Sequence, residues 1–306
     1  MTKVFIDGSA GTTGLKIYDR LAKRKDIEII SLPEALRKDE SARKDAFASS
    51  DIAFLCLPDD AAVEAEKLLG SSTVVIDTST AHRTALGWTY GLAELKGQRE
   101  LIAKSNRIAN PGCHASGFIA LVAPLISSGA LSDKAQLSCV SLTGYSGGGK
   151  KMIAEYESNQ TELLKAPRLY ALSQTHKHLK EMVKQTGLKN YPVFCPVVEP
   201  FYSGMEVMIP LFKSDIKAGI NEINDIYKEY YAGQRLIKVS SESENGFLSA
   251  ALLSGKDNMI ISVTGNEDRI VLVARFDNLG KGASGAAIQN MNIIIGADEC
   301  EGLVID

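Results

Sequence analysis

Cys113 stands in the run Asn110-Pro111-Gly112-Cys113-His114, a Pro-Gly turn that opens onto the helix-patterned apolar stretch from Ala115 to Ser127. A cysteine at a helix N-terminus has its thiolate stabilised by free backbone amides and the positive end of the helix dipole, which makes it a strong nucleophile. The remaining cysteines, Cys56, Cys139, Cys195 and Cys300, have no such turn and read as small buried apolar residues. A nucleophilic thiolate needs a base or charge partner, and the chain has only four histidines: His82, His114, His176 and His178. His176-Lys177-His178 with Glu181 sets two imidazoles and a carboxylate within a turn and a half of a helix start. That spacing points to a general acid or base, with exposed surface histidines as the competing reading. A metal site would want a further ligand cluster and none is evident, so no metal is expected. His114 adjoins the nucleophile, but neighbouring side chains usually diverge, and it ranks below His176 and His178.

A second motif, Gly8-Ser9-Ala10-Gly11-Thr12-Thr13-Gly14, follows an apolar strand and opens a helix. Glycines there let the backbone turn tightly and approach a pyrophosphate, whose charge is favoured by the helix start. A purely structural turn is the alternative. The acidic residue that usually holds an NAD ribose falls about 20 residues on, where this chain reads Ser31-Leu32-Pro33. With no carboxylate there, and with Arg37 and Lys38 close in sequence, NADP(H) is expected rather than NAD. An acidic substrate would also need cationic and amide groups. Arg83, in Asp77-Thr78-Ser79-Thr80-Ala81-His82-Arg83, and Asn110, Arg168 and Lys281 are the candidates, each of which alone could be a surface residue.

These groups must be positioned by a scaffold, and 306 residues exceed what one hydrophobic core usually organises. Strand patterns at Lys3–Ile6, Ile27–Leu32, Ile52–Leu57 and Thr73–Ile76 alternate with helix patterns at Gly14–Lys23 and Ala61–Leu69, which predicts a Rossmann-like parallel sheet. After Pro111 the strand patterns at Ala135–Leu142, Val193–Pro200, Glu206–Leu211 and Ile270–Ala274 follow one another with few helices between. They predict an α+β domain with a mixed or antiparallel sheet, on which Ile216–Tyr231 packs as a helix. A long small-residue helix over Gly282–Ile295 is expected to return to the first domain. The chain therefore reads as α/β, with a dinucleotide-binding domain at 1–112 completed by about 282–306, and a catalytic and dimerisation domain at 113–281.

A net charge of -3 provides no basic footprint for nucleic acid. No apolar run approaches the ~20 residues a membrane span requires. Met1–Gly8 shows no export signal, and five scattered cysteines without a C-x-x-C pair suit reduced thiols in the cytosol.

Taken together, Gly8–Gly14, Asp77–Arg83, Tyr90-Gly91-Leu92-Ala93-Glu94-Leu95, Asn110–Cys113, Ser141–Lys150, Asp277-Asn278-Leu279-Gly280-Lys281-Gly282-Ala283 and Gln289-Asn290-Met291-Asn292 resemble the N-acetyl-gamma-glutamyl-phosphate reductase family, in its compact, type 2 branch. Aspartate-semialdehyde dehydrogenases are a more distant likeness. The resemblance spans the chain and implies an enzyme of arginine biosynthesis. It implies that Cys113 attacks an acyl phosphate, that NADPH reduces the resulting thioester, and that a semialdehyde leaves. It also implies His176 as acid/base, His178 and Glu181 beside it, Ser141–Lys150 as a glycine-rich loop, Asn278 among the cofactor-binding residues, and a homodimer or homotetramer. Two departures stand out. The family's His-Arg-His followed by Thr-Pro-Glu reads His176-Lys177-His178-Leu179-Lys180-Glu181 here, and His114-Ala115-Ser116 replaces Tyr-Pro-Thr. Reductases of aspartyl or N-blocked aminoadipyl phosphate remain alternatives, because one methylene changes binding by only ~1–3 kcal/mol. A catalytically silent dinucleotide-binding regulator is the alternative of another class.

Overall fold

The computed structural model describes residues 1–70, 72–158 and 161–306. The chain forms two compact units, one of Met1–Gly112 with Ala283–Leu303 and one of Cys113–Gly282 with Val304–Asp306.

The first unit runs β1 (Thr2–Asp7), α1 (Thr12–Leu21), β2 (Ile27–Ile30), α2 (Glu40–Ala48), β3 (Ile52–Leu55), α3 (Asp59–Glu66), β4 (Val74–Asp77), β5 (Thr89–Tyr90), α4 (Gln98–Lys104) and β6 (Arg107–Ala109). Its sheet has the order β2-β1-β3-β4-β6-β5, and every pairing is parallel. Side chains alternate across a strand, so both faces of these apolar strands need covers. Val4 and Ile6 pack with Ile17 and Leu21 of α1, whereas Phe5 points the other way onto Phe47 of α2.

The second unit begins with α5 (Cys113–Ser127) and continues through β7 (Ser138–Gly144), α6 (Gly149–Ser158), β8 (Arg168–Leu169), α7 (His178–Thr186), β9 (Val193–Glu199), β10 (Met205–Phe212), α8 (Ile220–Tyr230), β11 (Ile237–Val239), β12 (Met259–Gly265) and β13 (Arg269–Phe276). The sheet order is β11-β12-β13-β10-β7-β9-β8. It is mixed: β7 and β9 are parallel, while β10 runs antiparallel to both β7 and β13. Helices α6 and α7 fall between β7 and β9, where the strand succession predicted few helices. Ser141–Gly144 is the end of a strand, so the glycine-rich turn itself is confined to Tyr145–Gly148 before α6. Strand β12, absent from the expected set, is a β-branched run that pairs with Ile270–Phe276 of β13.

Helix α5 is buried on all sides, from His114 to Leu125, as a helix apolar all round should be. Gly117 lets it approach the sheet, since a Cβ there would lie 2.6 Å from Val207 Cγ2. Pro124 lies inside it and has no N–H to donate to the Ala120 carbonyl. The Tyr231 hydroxyl donates there instead at 2.7 Å, and Tyr227 donates to the Leu121 carbonyl at 2.6 Å.

After one π-helical turn at Gly280–Ser284, helix α9 (Gly285–Ile295) completes the first unit. Its Ala287, Ile288 and Met291 share a core with Val4, Ile6 and Ile76. The helix stops at Gly296, whose φ of 67° is a left-handed cap, so the segment beyond is not helical.

Candidate active site

Cys113 is the first residue of α5, half-buried at the helix start where the amides lack helical acceptors. A tightly bound segment packs behind it. Asp277, almost fully buried, accepts from the backbone N–H groups of Leu279 at 2.6 Å, Gly280 at 2.9 Å and Gly255 at 2.5 Å. This holds the turn that carries Gly282 against the nucleophile, where a Cβ would come 2.9 Å from Cys113 Cβ.

Around Cys113's helix the second unit gathers an aromatic and imidazole cluster. Helix α5 and helix α7 pack together, and the His176 ring lies 4.6 Å from that of His178 and 5.8 Å from that of His114. The His178 backbone N–H donates to His176 Nδ1 at 3.2 Å, the long end of the hydrogen-bond range. It orients the ring. His178 is buried, with Nε2 3.8 Å from Oε1 of Glu181, itself buried in the first turn of α7. The helix start favours that carboxylate.

Two members of the cluster escaped sequence reasoning in full or in part. His114, ranked low because it adjoins Cys113, turns into the same group: its Nδ1 meets Ser141 Oγ at 2.7 Å and its Nε2 meets the Tyr170 hydroxyl at 2.6 Å. Burial, with His176 adding to it, pushes His114 down to about 3, so the ring is neutral. Tyr170 was not anticipated at all. Burial, and then the Cys113 thiolate, raise its hydroxyl well above the ordinary tyrosine value. The missing signal is distance along the chain, since Ser141 and Tyr170 lie 27 and 56 residues from His114.

Of the four residues expected at an acidic substrate, Arg83 and Asn110 lie in the first unit and Arg168 and Lys281 in the second. Arg83 is buried, with Nε donating to the Asn110 carbonyl at 2.9 Å and Nη2 to the Thr78 carbonyl at 3.1 Å. Asn110 is buried too, donating to the Ala283 carbonyl at 3.0 Å. Behind Arg83, His82 is clasped by Asp77 at 2.6 Å and stacks on Trp88 at 4.0 Å, which shapes the Asp77–Arg83 turn. Arg168 lies in the second unit, bonded to the Tyr156 hydroxyl at 3.1 Å and to Glu155 at 3.3 Å. Lys281 is also in that unit and is fully buried. No group of three or more His, Cys, Asp or Glu side chains suited to a metal ion occurs among the described residues.

In the first unit the glycine loop curls between β1 and α1. Gly8 takes a φ of 85°, and the Gly11 N–H donates to its carbonyl at 2.9 Å. A Cβ at Gly14 would run into the Gly8 carbonyl and sit 2.9 Å from Ser9 Cα, so the turn closes only with glycine there. A cavity of about 610 Å³ adjoins it, lined by Gly8, Ser9, Ala10, Ser31, Arg37 and Lys38 among others. Thr12 Oγ1 is buried with no hydrogen-bond partner among the described residues. A buried hydroxyl is normally satisfied, so this loop fits an anionic cofactor group that would engage it. Asn278 is outside this lining; its amide spans Ser146 Oγ and the Gly204 N–H, each at 3.0 Å.

The semialdehyde dehydrogenase NAD binding domain matches residues 33–105 and the semialdehyde dehydrogenase dimerisation domain matches residues 113–278. N-acetyl-gamma-glutamyl-phosphate reductases from Brucella ovis and Brucella canis are each 48% identical over 306 residues, covering 96% of this chain and 99% of theirs. Among solved structures, aspartate semialdehyde dehydrogenase II from Vibrio cholerae, complexed with ASA, superposes with a TM-score of 0.71 at 16% identity, over 97% of this chain and 98% of that one. Aspartate semialdehyde dehydrogenase from Candida albicans, with NADP, has a TM-score of 0.68 at 15% identity, over 97% and 99%. At those identities the likeness concerns the fold alone. No helix among the described residues is long and apolar enough to cross a membrane.

Proposed function

The chain belongs to the N-acetyl-gamma-glutamyl-phosphate reductase family of semialdehyde dehydrogenases, and from that premise we propose that it reduces N-acetyl-L-glutamyl 5-phosphate to N-acetyl-L-glutamate 5-semialdehyde and phosphate, in arginine biosynthesis. The observation that carries the reading is Cys113 at the first position of α5 beside the His114–Tyr170–His176 cluster. Stabilised by the helix start, the Cys113 thiolate attacks the acyl carbon; the C–S bond forms and phosphate leaves with the electrons of the C–O bond. NADPH, when bound, supplies the hydride that reduces the thioester. As the C–S bond breaks, Cys113 departs as thiolate and the electrons on oxygen reform the carbonyl, with His176 proposed as the acid/base that lends that oxygen a proton and takes the same proton back. Backbone amides at the start of α5 support the oxyanion in both steps.

NADP(H) is favoured over NAD by what lines the cavity beside the glycine loop: Ser31 at the end of the second strand's segment, with Arg37 and Lys38. Those two cations suit a 2′-phosphate. Arg83, Asn110, Arg168 and Lys281 are proposed to serve the substrate's phosphate and carboxylate, directly or through the turns they brace. A homodimer or homotetramer in the cytoplasm completes the proposal, supported by the family's dimerisation domain over 113–278.

The test runs the reaction backward, as phosphate-dependent reduction of NADP by N-acetylglutamate semialdehyde, with aspartate semialdehyde, the aminoadipate analogue and NAD as comparisons. Selective turnover of the acetylated glutamate aldehyde with NADP is the expected result. Turnover only of another aldehyde would keep the chemistry and change the substrate, and no turnover of any would favour a silent regulator.

A further inference from the structure

Ser141, His114 and Tyr170 form a chain of hydrogen bonds whose direction can be worked out. Ser141 Oγ is fully buried and meets only His114 Nδ1 among the described residues. If His114 carried its proton on Nδ1, it would donate to Ser141, and the Ser141 O–H would be left buried with no acceptor. A buried donor without a partner forfeits its hydration for nothing. The opposite order satisfies every atom: Ser141 O–H donates to Nδ1, and Nε2–H donates to the Tyr170 oxygen across 2.6 Å. Tyr170, having accepted from His114, then has its own O–H to give elsewhere. Burial keeps His114 neutral and Tyr170 protonated, so the order holds over any ordinary assay pH.

We infer that His114 is a positioning residue, which, seated between Ser141 and Tyr170, turns the Tyr170 O–H toward the acyl group on Cys113, where it donates to the carbonyl oxygen as that oxygen becomes anionic. This rests on the thioester chemistry proposed above. The half-buried Tyr170 meets, at 2.6 Å, the residue that follows Cys113 in the first turn of α5, and the thiolate raises its hydroxyl further. A side-chain donor fixed in advance stabilises developing charge without reorganising during the reaction. No proton changes hands along the chain. Its role is orientation, so it adds no titration of its own.

Three variants separate this role from packing. Tyr170→Phe removes the donor with little change of shape. His114→Asn keeps an acceptor for Ser141 but does not reach Tyr170, whereas His114→Gln carries an amide N–H to about the place of Nε2. Tyr170→Phe and His114→Asn are expected to lower kcat by about 100-fold or more with KM for the aldehyde little changed, while His114→Gln recovers most of the loss. The rate of Cys113 alkylation by iodoacetamide, and its pH dependence, should be the same in all three as in the wild type. A kcat for Tyr170→Phe within about twofold of wild type, or His114→Gln as damaged as His114→Asn, overturns the inference. Cys113→Ser keeps the two readings apart: if it turns over, the thioester proposal itself falls, and if it is dead while Tyr170→Phe is unaffected, only the role of His114 and Tyr170 falls. Should His114→Asn fail to fold, Tyr170→Phe still decides.

Discussion

The Tyr231 hydroxyl supplies the Ala120 carbonyl with the hydrogen bond that Pro124 withholds from it. The nucleophile's helix thus contains a break in its own ladder that is repaired from a neighbouring chain segment rather than left to strain the helix.

Removing the repair should cost stability in a defined way. Tyr231→Phe leaves a buried carbonyl unsatisfied and is expected to lower the unfolding free energy by about 1–3 kcal/mol. Pro124→Ala restores an N–H at the right place, so in the double variant Tyr231→Phe should cost much less. Urea unfolding of the four proteins gives the coupling directly. An equal effect of Tyr231→Phe in both backgrounds would mean the hydroxyl is not standing in for the missing donor.

Glu206 predicts a pH dependence of stability. Burial pushes it up to about 7, with Glu244 adding to the rise and Arg275 opposing it. Its folded value lies above its ordinary 4.5, so between those values the folded protein binds more protons than the unfolded one, and stability falls as pH rises through that window. Glu206→Gln should therefore raise stability at pH 8 by up to about 3 kcal/mol and by under about 1 kcal/mol at pH 5. Thermal melts at the two pH values measure this, and a larger gain at pH 5 would refute it.

At the cofactor cavity, Arg37→Ala should raise KM for NADP by about tenfold, the loss of one charge-assisted hydrogen bond, with KM for NAD little changed. The same rise for both cofactors would take Arg37 away from the 2′-phosphate.

The two α7 imidazoles are expected to differ in turnover. His176→Asn should lower kcat by about 100-fold or more, and His178→Asn by less, because His178 is buried against Glu181. The reverse order, read from steady-state kinetics, would move the acid/base role to His178.

Much of the architecture is readable from local pattern. Gly8–Gly14 between a strand and a helix, and Pro111-Gly112 before an apolar helix, are statements about backbone geometry that short stretches can make. The Ala115–Ser127 pattern emerges as α5, with its start two residues earlier, at Cys113. Tyr170 is different. Nothing near it in sequence distinguishes it from an ordinary tyrosine, and its meaning comes from His114, 56 residues away. Neighbouring side chains on a helix differ in direction by only about 100°, so the first turn of α5 can open with Cys113 and still send His114 into the cluster. Arg83 shows the same limit from the other side: a lone arginine reads as a surface cation until the Asn110 and Thr78 carbonyls are seen around it.

The first unit is assembled from two stretches of chain, Met1–Gly112 and Ala283–Leu303. During synthesis, then, the first unit has its sheet strands early but lacks Ala287, Ile288 and Met291 of its core until the segment Ala283–Leu303 has been made. The second unit, nearly continuous from Cys113 to Gly282, has most of its parts sooner. The unit whose strands are made first is therefore the one whose core waits for a distant segment, Ala283–Leu303.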